Sequence, residues 1–139
     1  MGNIFIFPAL RPVMSGCEHD RTILVVEDNK DVRHIFSEVF HSLNYQVLEA
    51  SDGLNAWEIL NNATSPVHVI LTDLRMPVMD GLELCTRVKN DPRFWAVPVV
   101  LLTATSLHNL PQMRKLFSAV LVKPCPFGKL ISTLKAVQK

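Results

Sequence analysis

Four nearly continuous, β-branched apolar runs constrain this chain more than any other feature. They are Ile23-Leu24-Val25-Val26, Val67-His68-Val69-Ile70-Leu71, Val97-Pro98-Val99-Val100-Leu101-Leu102 and Ala119-Val120-Leu121-Val122. A strand that is apolar at successive positions has to be covered on both faces, which is the signature of a parallel sheet rather than an antiparallel one. Gln46 to Ala50 reads as one further strand, shorter and more polar, and therefore an edge. The stretches between the runs are amphipathic. Val32, Ile35, Phe36, Val39, Phe40 and Leu43 recur at three- and four-residue steps, and Leu54, Trp57 and Leu60 follow Asp52-Gly53. Leu82, Cys85 and Val88 follow Asp80-Gly81, with Asp80 as the helix cap, and Leu130, Leu134 and Val137 form the last apolar stripe. Five strands alternating with helices, joined by right-handed crossovers, make a doubly wound α/β fold with a five-stranded parallel sheet.

The bulk properties agree with one such domain. The chain has 139 residues, 48% of them hydrophobic and 19% charged, enough to bury a core. With 14 Lys+Arg against 13 Asp+Glu the net charge is +1, which gives no reason to expect nucleic acid or an anionic membrane as a partner. Cys17, Cys85 and Cys125 are odd in number and lack CxxC spacing, so a disulfide framework and a zinc site are both poor readings. No apolar run approaches the ~20 residues that span a bilayer, and a cytoplasmic location is expected. Residues 1–20, with Pro8, Pro12 and Gly16, break the pattern and read as an N-terminal extension or a cloning remnant, leaving 21–139 as the domain.

In a doubly wound fold, ligands bind beyond the carboxyl ends of the strands. There the first strand ends in Glu27-Asp28, the third in Thr72-Asp73, the fourth in Thr103-Ala104 and the fifth in Lys123-Pro124. Taken singly, each has an ordinary explanation: a helix cap for Asp28 or Asp73, a backbone bond for Thr103, a solvated charge for Lys123. Together they form a chemistry. Crowded carboxylates need a cation, and hard oxygen donors select Mg²⁺. A carboxylate beside it can attack a phosphoryl group, whose oxygens the Lys123 ammonium and Thr103 hydroxyl are suited to neutralise.

Val26-Glu27-Asp28-Asn29, Asp73-Leu74-Arg75-Met76-Pro77-Val78-Met79-Asp80-Gly81, Leu102-Thr103-Ala104 and Lys123-Pro124 resemble the response-regulator receiver family, in its order and close to its spacing, from about Arg21 to Lys139. The resemblance implies a flavodoxin-like (βα)5 fold and a phosphoacceptor, Asp73, in a two-component phosphorelay. Its phosphoryl group would come from a sensor histidine kinase, a phosphotransfer protein or a small phosphodonor, and its output would be an attached domain or a downstream protein. By the same resemblance Glu27 and Asp28 are the acidic pair and Mg²⁺ binds at Glu27, Asp28 and Asp73, with Asp28 and Asp73 ligating it directly or through water and the Arg75 backbone carbonyl completing the set. Thr103 is then the switch hydroxyl, and Lys123, ahead of a cis proline, contacts the phosphoryl group. The role is regulatory rather than metabolic.

The chain departs from the family in its signalling surface. Val120 stands where the family usually has Tyr or Phe, and Ser106-Leu107-His108-Asn109-Leu110-Pro111 offers poor helix formers, so a short or irregular fourth helix is expected. Other functions fit less well. A phosphorylation-independent interaction module would usually have lost the acidic pair, the acceptor or the lysine. An aspartyl-intermediate phosphatase wants an acid two positions after the nucleophile, where Arg75 stands. A flavin carrier wants a phosphate loop after the first strand, and none is there.

Overall fold

The apolar runs become the strands of a single sheet because each satisfies its backbone in a ladder while presenting side chains to both faces. The computed structural model describes residues 21–104, 111 and 115–138. In chain order these form β1 (Arg21–Val26), α1 (Lys30–Ser42), β2 (Tyr45–Ala50), α2 (Gly53–Asn62), β3 (Val69–Thr72), α3 (Gly81–Lys89), β4 (Val99–Thr103), β5 (Ala119–Val122) and α4 (Phe127–Val137). All neighbouring strands are parallel, in the spatial order β2-β1-β3-β4-β5. This is the flavodoxin-like order, and the winding reverses at β1.

Alternation along each strand divides the core in two. Leu24, Val26, Ile70, Val99 and Leu101 point to the face covered by Ala56 and Leu60 of α2 and Leu84, Cys85 and Val88 of α3. Ile23, Val25, Val69, Leu71, Val100 and Leu102 point to the other face, against Phe40 of α1 and Leu130 and Leu134 of α4. Cys85 is fully buried, and that burial pushes its thiol up to about 12, as suits a core residue and not a reactive one.

The first three helices start where a side chain can replace the missing backbone acceptor. Asn29, Asp52 and Asp80 accept from the N–H groups of Val32, Asn55 and Glu83 at 3.0, 2.8 and 2.9 Å, each cap contributing about 1 kcal/mol. Asp80 is thus the cap the sequence predicts.

Two readings need adjustment. β2 is an edge strand, but with six residues it equals β1 in length, because all six pair with β1 in continuous register from Arg21↔Tyr45 to Val26↔Ala50. Val67 and His68 precede β3 rather than belonging to it, since His68 turns its imidazole onto Thr22. Of the expected fourth helix, Pro111, Lys115 and Leu116 are helical and Ser118 has left the helix to donate to the Val99 carbonyl at 2.8 Å. Its extent, like the reading of residues 1–20 as an extension, lies outside the described residues. No helix among the described residues is long and apolar enough to cross a membrane.

Candidate functional site

The carboxyl end of β1 lies between those of β2 and β3, so the residues just past these strands meet at the switch point. Glu27 continues the β1 ladder for one more bond, its N–H donating to the Ala50 carbonyl at 3.0 Å, and the Asp73 N–H likewise donates to the Val26 carbonyl at 3.1 Å. These bonds bring Glu27, Asp28 and Asp73 together, with one carboxylate oxygen of each within 4.8 Å of the others. Glu27 is 4% exposed, Asp73 intermediate and Asp28 exposed, so the cluster opens outward from a buried floor.

Lys123 supplies the opposing charge. Its Nζ lies 3.1 Å from Asp73 Oδ2 and 3.3 Å from Glu27 Oε1. The Lys123 N–H donates to the Thr103 carbonyl at 2.8 Å, and the Lys123–Pro124 bond is cis, as the resemblance implies. Burial pushes the Glu27 carboxyl up; the Asn29 N–H and the Lys123 charge oppose this, and the carboxyl still sits above its ordinary range. For Lys123, burial acts downward, but its hydrogen bond to Asp73 and the charges of Asp73 and Glu27 outweigh it and raise the ammonium.

The two oxygens of Asp73 are differentiated. Oδ1 accepts from the Leu74 N–H at 2.7 Å, while Oδ2 faces Lys123. The main chain beneath is packed so closely that no side chain fits: a Cβ on Gly81 would run into the Asp73 carbonyl oxygen, and one on Gly53 would come within 2.5 Å of the Met79 carbonyl oxygen. Both glycines also hold the β3–α3 loop, Gly81 N–H donating to the Leu74 carbonyl at 2.8 Å and Gly53 N–H to the Met79 carbonyl at 2.9 Å. Between these anchors Val78 takes a φ of 69° in a three-residue turn closed by Met79 N–H to the Pro77 carbonyl, a costly conformation for a β-branched residue.

Of the residues singled out by sequence, Glu27, Asp28, Asp73 and Lys123 form one cluster. Thr103 ends β4 at the same edge of the sheet and is 1% exposed. Arg75 stands two residues past Asp73 with an exposed side chain. Sequence reasoning missed Asn29, whose N–H donates to Glu27 Oε2 at 3.0 Å, although its place just before an apolar helical pattern marks it as a cap. It also missed Arg33, whose Nη1 donates to the Glu27 carbonyl at 2.7 Å.

An open parallel sheet with three carboxylates and one ammonium at its switch point defines a doubly wound α/β domain with an acidic cleft. Comparison with known proteins agrees. The family described as the response regulator receiver domain matches residues 23–135. Over 82 residues the chain is 40% identical to the chemotaxis protein CheY1 of Helicobacter pylori, covering 58% of this chain and 65%, just under two thirds, of that one. The structure of chemotaxis protein CheY4 of Vibrio cholerae aligns with a TM-score of 0.76 at 29% identity, covering 84% of this chain and 98% of the other. The receiver domain of a sensor histidine kinase from Pseudomonas aeruginosa PAO1, which has a magnesium ion coordinated in its active site cleft, also aligns at 0.76, with 27% identity over 85% of this chain and 97% of its own. The chain belongs to the response regulator receiver domain family, the phosphoacceptor module of two-component phosphorelays.

Proposed function

We propose that Asp73 is the phosphoacceptor and that the chain works as a Mg²⁺-dependent regulatory switch. One observation carries this reading: three carboxylates converge within 4.8 Å while the Lys123 ammonium touches the Asp73 carboxylate at 3.1 Å. Three clustered carboxylates against the one ammonium that touches them leave the cleft under-neutralised, the condition in which a divalent ion binds.

The donor set suits Mg²⁺, which takes few protein oxygens and keeps several waters. Asp28 and Asp73 would ligate the ion directly or through water, with the Arg75 carbonyl as a third donor, while Glu27, buried and accepting from Asn29 N–H and Lys123 Nζ, would hold the floor of the acidic cluster. When bound, the ion supplies positive charge to the phosphoryl oxygens.

The chain's own groups do the rest. Leu74 N–H holds Oδ1, leaving Oδ2 as the attacking oxygen. The Oδ2–P bond forms as the P–N bond of a phosphohistidine breaks, and the leaving imidazole takes a proton from solvent. Lys123 follows the charge from Oδ2 to the phosphoryl oxygens, and the Thr103 hydroxyl donates to another. The donor is a sensor histidine kinase or a phosphotransfer protein in the cytoplasm, and the phosphorylated face is read by an output domain or downstream protein.

Acetyl phosphate with Mg²⁺ should add one acid-labile phosphoryl group, seen by intact mass, and Asp73→Asn should abolish it. Labelling that persists in Asp73→Asn would show that the acceptor is another residue.

A further inference from the structure

We propose that Arg33, on α1, is a positioning residue for the metal-facing carboxylate of Asp28, an inference that rests on the Mg²⁺ reading of the cleft. The Glu27 N–H still belongs to the sheet, bonded to Ala50 at 3.0 Å, but its carbonyl lies past the end of β1 where the chain turns toward α1. The Arg33 guanidinium meets that carbonyl at 2.7 Å through Nη1, while its Nε pairs with Glu49 Oε1 at 3.2 Å. Its side chain is only 16% exposed, so this is a seated group and not a waving one.

The carbonyl that Arg33 grips belongs to the peptide joining Glu27 to Asp28. A peptide is planar, so fixing its oxygen fixes the orientation of the unit that carries Asp28. Glu27 needs little such help, because its carboxylate is held by Asn29 N–H and Lys123. Asp28 is exposed, and its carboxylate is carried on the peptide whose carbonyl Arg33 holds. Glu49 sits on β2 next to Ala50, the partner of Glu27 N–H, so Arg33 ties α1, the edge strand and the acidic pair into one unit.

The charge of Arg33 makes the idea testable by sign. As a cation near an acidic site, Arg33 opposes Mg²⁺ by electrostatics alone, and removing it should then tighten binding. As a positioning group, removing it should weaken binding, by about tenfold if it acts as outer-shell partners of metal ligands do.

The experiment is a Mg²⁺ titration of the full chain followed by amide chemical shifts, with no phosphodonor present. The parent, Asp28→Asn, Arg33→Met and Arg33→Lys are compared. The expected result is a Kd about tenfold weaker for Arg33→Met and partly recovered in Arg33→Lys, whose ammonium can reach one carbonyl but not Glu49 as well. An Arg33→Met protein that binds as tightly as the parent or tighter overturns the inference, and so does a loss that Lys does not reduce. Where Arg33→Met does not fold, Arg33→Lys decides alone: weaker binding than the parent supports the role, and equal binding overturns it. A parent that binds no Mg²⁺, or an Asp28→Asn protein that binds as the parent does, would instead sink the reading of the cleft itself.

Discussion

At the amino-terminal end of the sheet, polar groups meet in complementary pairs. Thr22 N–H donates to His68 Nδ1 at 2.9 Å, His68 N–H returns a bond to the Thr22 carbonyl at 2.9 Å, and the Thr22 hydroxyl reaches Gln46 Oε1 at 3.3 Å. At the carboxyl end, like meets like: Glu27, Asp28 and Asp73 crowd together with Lys123 between two of them. The strands between are the same strands. One end is arranged to be satisfied by the protein alone, and the other is left short of positive charge. Departures of this kind from local consistency are where function resides, and the rest of the fold holds them in place.

The sharpest way to break this contrast is at Gly81. Gly81→Ala drives a methyl group into the Asp73 carbonyl, a backbone atom that cannot step aside. Unfolding should show a loss of about 3 kcal/mol, the upper end for overpacking, together with loss of acetyl phosphate labelling. Unaltered stability and labelling would mean that the site is far looser than its packing indicates.

A smaller effect is expected at the opposite end. His68→Phe removes the acceptor from the N–H of Thr22, a residue 5% exposed, and should cost about 2 kcal/mol for an unsatisfied buried donor. Mg²⁺ affinity should not change. If it did, the two ends would be coupled through β1 and the contrast would fail.

The third test concerns pH. Burial holds the Glu27 carboxyl above its ordinary 4.5, so the folded chain binds that proton more tightly than the unfolded chain does. The stability this provides is complete below pH 4.5 and is lost as pH rises through the higher folded value. Glu27→Gln, neutral throughout, should therefore melt above the metal-free parent near neutral pH and converge with it in acid. A variant that melts below the parent near neutral pH would show that Asn29 and Lys123 outweigh the burial.

Most of the fold and the grouping of the candidate site residues were legible because they depend on local pattern. Continuous apolar runs gave the parallel sheet, and Glu27-Asp28, Asp73, Thr103 and Lys123 each sit at a strand end that periodicity locates. The Arg33 contact to Glu27 and the Gly53 contact to Met79 were not legible, since each depends on how a helix seats against the sheet. An arginine on the polar side of α1 looks the same in sequence whether it faces water or a carbonyl. The length of β2 was misjudged for a related reason: its register with β1, not its composition, decides where pairing stops.

Glu27 and Lys123, in contact at the cleft, stand 96 positions apart along the chain. During synthesis Glu27 and Asp28 emerge early, Asp73 follows, and the ammonium comes only with β5, so native contacts of such long separation are made late. A growing or truncated chain that lacks β5 and Lys123 holds the Asp73 carboxylate without the ammonium that faces it. On the function proposed above, competence to receive a phosphoryl group would thereby wait for synthesis to pass β5.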